Sequence, residues 1–388
     1  MLSKMEDWAN LPDHVVALIF SYLSVAERCR AGAACKHWLQ CLETPFLWRN
    51  FNCGFFLPGH GQLVKCVEQY SHLISRLTIT LNQREVENRK NALSVIDCLT
   101  ELSDLRLTHL TIQFKGENPL FYGGHEFMTA LSKLFSKIGE KKENSLLKYI
   151  NFSDLQVNFD NEFMNGIARN CPNLEYLNIL NKILVCCVSP DCMVLLVDKC
   201  RKLKTLHVYH TSLNNEVMKK LSEPNRVPLR RLGIVCRRHE KYGEDIASEA
   251  WSNLIHANPD LKVELGFDHT TPLHRVAEII KPEIPVQELH LATFTRIFDE
   301  INTAASYYEH TLEKLVVQTR PCKELNEAIL NVAQRCKRLN TLYVYCILDK
   351  SVIDKILELH PLMKERGTFI LKWELEKEPW TVGKEEGE

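Results

Sequence analysis

One hydrophobic pattern returns along most of the chain: an apolar residue, then a leucine three positions on, then another apolar residue two further on. Its fullest copies are Cys171/Leu174/Leu177/Ile179, Cys200/Leu203/Leu206/Val208 and Cys336/Leu339/Leu342/Val344. Without the leading cysteine it recurs at Leu229/Leu232/Ile234, Val286/Leu289/Leu291 and Leu312/Leu315/Val317. Looser copies stand at Ile74/Leu77/Ile79, Leu107/Leu110/Ile112 and Leu147/Ile150/Phe152. The central leucines at 177, 206, 232, 289, 315 and 342 lie 29, 26, 57, 26 and 27 residues apart. The 57-residue gap is two units, and an irregular copy at Leu261/Val263/Leu265 fills it. Alternation of period two across each core predicts a short strand with its apolar residues on one side. Between copies, stretches such as 214–221, 326–334 and 350–359 carry apolar residues at helical spacing, so each strand is followed by a helix.

A period in the twenties built on Leu-x-x-Leu-x-Leu resembles leucine-rich repeats, and the cysteine-bearing copies are similar to those of F-box/leucine-rich-repeat proteins. A cysteine at the helix-to-strand junction fits a small, buried, apolar slot. The fold expected is α/β: a curved solenoid with parallel strands on the concave face and helices on the convex face. If Leu206 and Val208 point inward, Thr205, His207 and Tyr209 point to the concave side. The same offset selects Tyr176 and Asn178, Arg231, His290, Lys314 and Gln318, and Tyr343 and Tyr345 as a candidate substrate surface, rich in the aromatic side chains that anchor interfaces. Its chemistry is mixed and nominates no ligand class. The insertions 115–124 and 237–244 read as loops leaving the array.

Ahead of the repeats, about forty residues pack an unusual density of large apolar groups. Pro12 and Asp13 suit a helix start. Val15, Leu18, Ile19, Tyr22 and Leu23 form one apolar face at helical spacing, and 27–39 reads as a second, alanine-rich helix. Trp38, Phe46 and Trp48 add apolar surface that so short a segment cannot bury alone, so it needs the following domain or another protein. The run Leu11-Pro12, Ile19 to Leu23, Cys35 to Trp38 and Leu47 to Arg49 resembles an F-box. That family's motif binds the adaptor subunit of SCF-type ubiquitin ligases and, through it, cullin and RING subunits. The resemblance implies adaptor contacts at Leu11, Pro12, Ile19, Phe20, Leu23, Trp38, Leu47 and Trp48. His14 and Arg28 depart from the family pattern. The organisation expected is F-box 8–51, linker 52–70, repeats 71–376 and an acidic tail 377–388. A free-standing repeat scaffold with the helices as a cap is the alternative, and it would bury Phe20 and Leu23 against the first repeat.

Composition narrows the partners. The 388 residues carry a net charge of -1, which argues against nucleic acid or an anionic membrane as the principal ligand. No apolar run reaches membrane length and 1–7 lacks a hydrophobic signal core, so the expected location is cytoplasmic or nuclear. Fifteen cysteines, an odd number without any Cys-x-x-Cys, read as reduced thiols. The densest group (Cys186, Cys187, Cys192, Cys200) lacks the paired spacing of a zinc site, so no metal and no cofactor is expected. Phosphate loops, His-Glu-x-x-His and Gly-x-Ser-x-Gly are missing from the sequence. Cys200, His207 and His210 are near in sequence but fall on different faces of a repeat. The expectation is a binding protein, not an enzyme.

Overall fold

The computed structural model describes residues 8, 11–118, 123–140, 145–181, 183 and 186–372. The chain divides into two compact units, residues 1–157 and 158–388. Both alternate strand and helix, with every strand pair parallel, as leucine-rich repeats require.

In the first unit four short helices come first: α1 (Asp13–Ser21), α2 (Val25–Gly32), α3 (Lys36–Cys41) and α4 (Pro45–Trp48). Pro12 takes the N-cap of α1, and a capping box between Ser24 and Glu27 starts α2. Arg28 explains itself here. Its Nε donates to the carbonyls of Phe20 and Leu23 at 2.9 and 3.0 Å, and Nη1 donates to Leu47 O at 2.7 Å. The guanidinium thus gives carbonyls at and just past the end of α1 a charged donor and ties α4 to them.

Strand β1 (Asn50–Phe55) pairs with β2 (Arg76–Asn82), placing Phe51, Cys53 and Phe55 opposite Leu77, Ile79 and Leu81. Helix α5 (Gln62–Tyr70) lies between them. The stretch 52–70 is therefore a strand and a helix of the sheet, not a linker. The first repeat went unread because its core is written Trp48/Phe51/Cys53, with aromatics where later copies use leucine. Trp48 stacks on Tyr70 of α5 at 3.9 Å between ring centroids and lies 5.9 Å from Phe51. Part of the helical segment's surplus apolar surface is spent there. Strands β3 (His109–Lys115) and β4 (Tyr149–Asp154) continue the order, with helices α6 (Val86–Thr100) and α7 (His125–Gly139) between strands.

The second unit carries β5 (Tyr176–Asn178), β6 (Thr205–Tyr209), β7 (Arg231–Cys236), β8 (Lys262–Phe267), β9 (Val286–Leu291), β10 (Lys314–Gln318), β11 (Thr341–Tyr345) and β12 (Phe369–Leu371), adjacent in chain order. Leu177, Leu206 and Leu232 stand in register, as do Leu289, Leu315 and Leu342, and all six are buried. β8 is the irregular copy, and its pairing with β9 slips between Val263 and Glu264. The junction cysteines are fully buried at the ends of α8 (Asn161–Asn170), α9 (Pro190–Lys199) and the later helix Lys323–Arg335. Cys200 Sγ donates to Cys171 O at 3.4 Å and Cys336 Sγ to Ala305 O at 3.9 Å, so these two slots stitch a repeat to its predecessor. Asn258, Tyr308 and His360 occupy the same junction elsewhere, and His360 Nε2 reaches Ala333 O at 2.7 Å. The expected tail, 377–388, lies outside the described residues. No helix among the described residues is long and apolar enough to cross a membrane.

Candidate functional site: the helical face and the open strand face

The N-terminal helices separate the sequence-predicted contact residues into two kinds. Phe20, Leu47 and Trp48 are buried, with Phe20 edge-on to Trp38 at 5.5 Å. These three are core, not contact surface, a correction that follows from helix geometry. α1 turns Val16, Ala17 and Phe20 inward rather than the face of Leu18 and Tyr22, and Arg28 draws the end of α1 onto α4, where Leu47 and Trp48 close the interior. Leu11, Ile19, Leu23 and Trp38 are half-buried, and Pro12 is exposed. Trp38 Nε1 donates to Trp8 O at 3.0 Å.

Part of what remains on the outside is apolar. Leu18 on α1 and Tyr22, one turn on at its C-cap, are 53% and 84% exposed, and Phe46 on α4 is 63% exposed. Leu39 on α3 and Trp8 are exposed as well. These residues sit on helices that contact one another and whose own interior is already filled. Single exposed apolar residues are ordinary; this short segment exposes several. Leu18, Tyr22, Leu39 and Phe46 were not among the contact residues expected from the sequence, because the motif's strongest letters are its core letters.

In the second unit the outward strand positions form a compensated charge ladder. Arg231 pairs with Glu264 and lies 3.8 Å from Glu288; Glu288 also meets Lys314 at 2.9 Å and His290 at 3.8 Å. His207 sits 3.7 Å from Glu264, with its ring 5.7 Å from that of Tyr176. Burial holds the His207 pKa below its usual value. Tyr176, Thr205, Arg231, His290, Lys314 and Tyr343 stay partly open, as the alternation predicts.

Asn178, Tyr209, Gln318 and Tyr345 do not. Each is the last residue of its strand and is buried. The strands are so short that their final outward position lies under the chain leaving the strand. Asn178 Oδ1 accepts from Leu180 N at 3.0 Å, and Arg237 lies 4.9 Å over the Tyr209 ring. His207 is buried mid-strand for another reason: Gly233, its register partner, leaves room for the imidazole. A Cβ at Gly233 would come within 2.1 Å of His207 Nδ1. Gly233→Ala should therefore expel the ring and lower stability by about 1–3 kcal/mol, read from a urea melt. An unchanged midpoint would show the slot to be slack.

Glu288 makes the ladder sensitive to acid. His290 and then Lys314, working against partial burial, hold its carboxyl down to about 2 from an ordinary 4.5. Because the folded pKa is depressed, the stability it contributes is complete above 4.5 and is lost as pH falls through about 2. With the side chain part-exposed, this amounts to on the order of 1 kcal/mol. Wild type should lead Glu288→Gln at pH 6 in denaturant melts, with the lead shrinking toward pH 2. A constant lead would mean the pairing does not drive the shift.

The other candidates do structural work. Cys200 donates to a carbonyl, His207 lies beside Tyr176, and His210 Nδ1 meets Glu240 at 2.7 Å in the interior. Of the cysteine cluster, Cys192 and Cys200 are buried, Cys186 is half-buried 3.3 Å from Ser212 Oγ, and Cys187 is exposed.

Comparison with known proteins agrees with this division. Residues 8–54 match the F-box-like family. Over 376 residues the chain is 27% identical to human F-box/LRR-repeat protein 8, covering 97% of this chain and 98% of that protein. It is 24% identical to mouse F-box/LRR-repeat protein 21 over 357 residues, covering 88% of this chain and 77% of that one. Human F-box only protein 33 is 20% identical over 74% of this chain and 60% of its own length.

Proposed function

From a chain that carries an F-box-like domain and is homologous nearly end to end with F-box/LRR-repeat proteins, we propose a substrate receptor of an SCF-type ubiquitin ligase. The exposed apolar face of α1, α3 and α4 docks the adaptor subunit, which brings the cullin and RING subunits. The open strand face of the repeats holds a target protein. The observation that carries this reading is the exposure of Leu18, Tyr22, Leu39 and Phe46 on helices already filled inside. A cap for the array would turn such residues inward, as the chain does with Trp48.

In this reading the chain forms no covalent intermediate. It holds the target near a ubiquitin-charged enzyme carried elsewhere in the assembly and so raises the effective concentration of the acceptor lysine. The strand face suits a protein target better than a polyanion, because its charges are already paired with one another. The test is co-expression with the SCF adaptor followed by size-exclusion chromatography. A one-to-one complex is expected; a folded chain eluting alone would reject the proposal.

A further inference from the structure

At the ends of β6 and β7 three side chains of metal-ligating type meet in the interior. His210 follows β6, Cys236 ends β7, and Glu240 lies in the short helical turn Arg238–Tyr242. Their donor atoms lie within 4.8 Å of one another, and all three residues are buried. The hydrogen bond to His210 Nδ1 satisfies only one of the Glu240 carboxylate oxygens. The other, Oε1, is buried and has no hydrogen-bond partner among the described residues. A fully buried carboxylate with an idle oxygen is costly, and burying a thiol beside it adds nothing to offset that.

The surroundings leave the carboxylate room. A Cβ at Gly243 would come within 2.9 Å of Glu240 Oε2. The nearby cations are engaged with other carboxylates: Arg237 with Asp268 at 3.3 Å and Arg275 with Glu278 at 2.6 Å. Neither of these pairs supplies the Glu240 oxygen with a partner.

We propose that His210, Cys236 and Glu240 bind a single divalent cation of borderline softness, zinc above all. Imidazole, thiolate and carboxylate are all zinc ligands, and two anionic donors with a neutral imidazole balance the charge of Zn²⁺ in a dry interior. Binding replaces the proton on the Cys236 sulfur, which passes to solvent, and gives Glu240 a cation in place of a single hydrogen bond. Without metal, burial and the neighbouring Glu240 push the thiol pKa well above its usual value, so the proton stays on. The ion would fasten the chain leaving β6 to the chain leaving β7, beside the open strand face.

Sequence spacing hides such a site. Cys236 lies 26 residues after His210, one repeat period, and only the fold makes residues a period apart neighbours.

The full chain, stripped of metal, would be titrated with Zn²⁺ against a chromophoric chelator and separately with Co²⁺. One equivalent should bind, with a thiolate-to-cobalt charge-transfer band and a thermal midpoint that rises with added zinc. Cys236→Ser should lose the band, and Glu240→Gln should lose the midpoint shift. Cys187→Ser, at an exposed cysteine outside the site, should keep both. Circular dichroism would confirm that each variant is folded. Absence of competition and of any midpoint shift in the folded wild-type chain would overturn the proposal. So would a cobalt band that survives Cys236→Ser. Neither result bears on adaptor docking, which is read by a separate complex.

Discussion

A chain carrying Leu18→Glu together with Phe46→Glu should lose the SCF adaptor while its repeats stay folded. Both side chains are more than half exposed, so the substitutions remove little internal packing, and surface changes of this kind cost within about 0.5 kcal/mol of stability. Binding is another matter. Two apolar anchors worth about 2 kcal/mol each amount to roughly a thousandfold in affinity, and a buried carboxylate at the interface adds to that loss. Co-elution on a sizing column should vanish while the melting curve stays in place. If the complex persists, the docking face is elsewhere on the helices. Phe20→Ala makes the contrast: this residue is buried against Trp38, so any loss of adaptor in that variant should come with a lowered melt.

Trp48→Ala should produce the largest loss of stability among single substitutions in the first unit. The indole is fully buried, stacked on Tyr70 at 3.9 Å and close to Phe51, and its Nε1 donates to the Leu42 carbonyl. Truncation leaves a cavity and an unpaired carbonyl, at about 3–5 kcal/mol. Against a total stability of about 5–15 kcal/mol, that should lower the thermal midpoint by roughly 10 °C. Trp48→Phe, which keeps a ring but not the donor, should fall between. A shift below about 2 °C in the alanine variant would mean that Trp48 does not join the helices to the first repeat.

These three residues show where the sequence was legible. Trp48, Phe46 and Leu18 all look alike as large apolar letters; periodicity places Leu18 on an apolar face, and the sequence does not say which of the other two the segment buries. Leu18 shares its helical face with Tyr22, and the structure turns both outward. The interior beneath them is filled by Val16, Ala17 and Phe20 and closed by Leu42, Leu47 and Trp48. Arg28, a departure from the family pattern, proved to be a staple for four carbonyls that no motif records.

On the repeats the outcome was similar. From β2 onward, strand positions and their inward side followed from a period-two alternation on a recurring apolar core, regular in most copies and irregular at β8, because register is set by the hydrophobic face. The first strand was missed where aromatics replaced leucine, and Glu264 was missed as a ladder member on the irregular copy.

The amino-acid sequence by itself determined the repeating strand-and-helix architecture, the helical start and the inward leucines, since these are local periodicities that each segment carries within itself. Only the tertiary structure decided which apolar residues of the helices remain outside, which outward strand positions are covered, and that His210, Cys236 and Glu240 meet. Those outcomes depend on neighbours a full repeat away. A solenoid places such residues side by side while leaving them far apart along the chain.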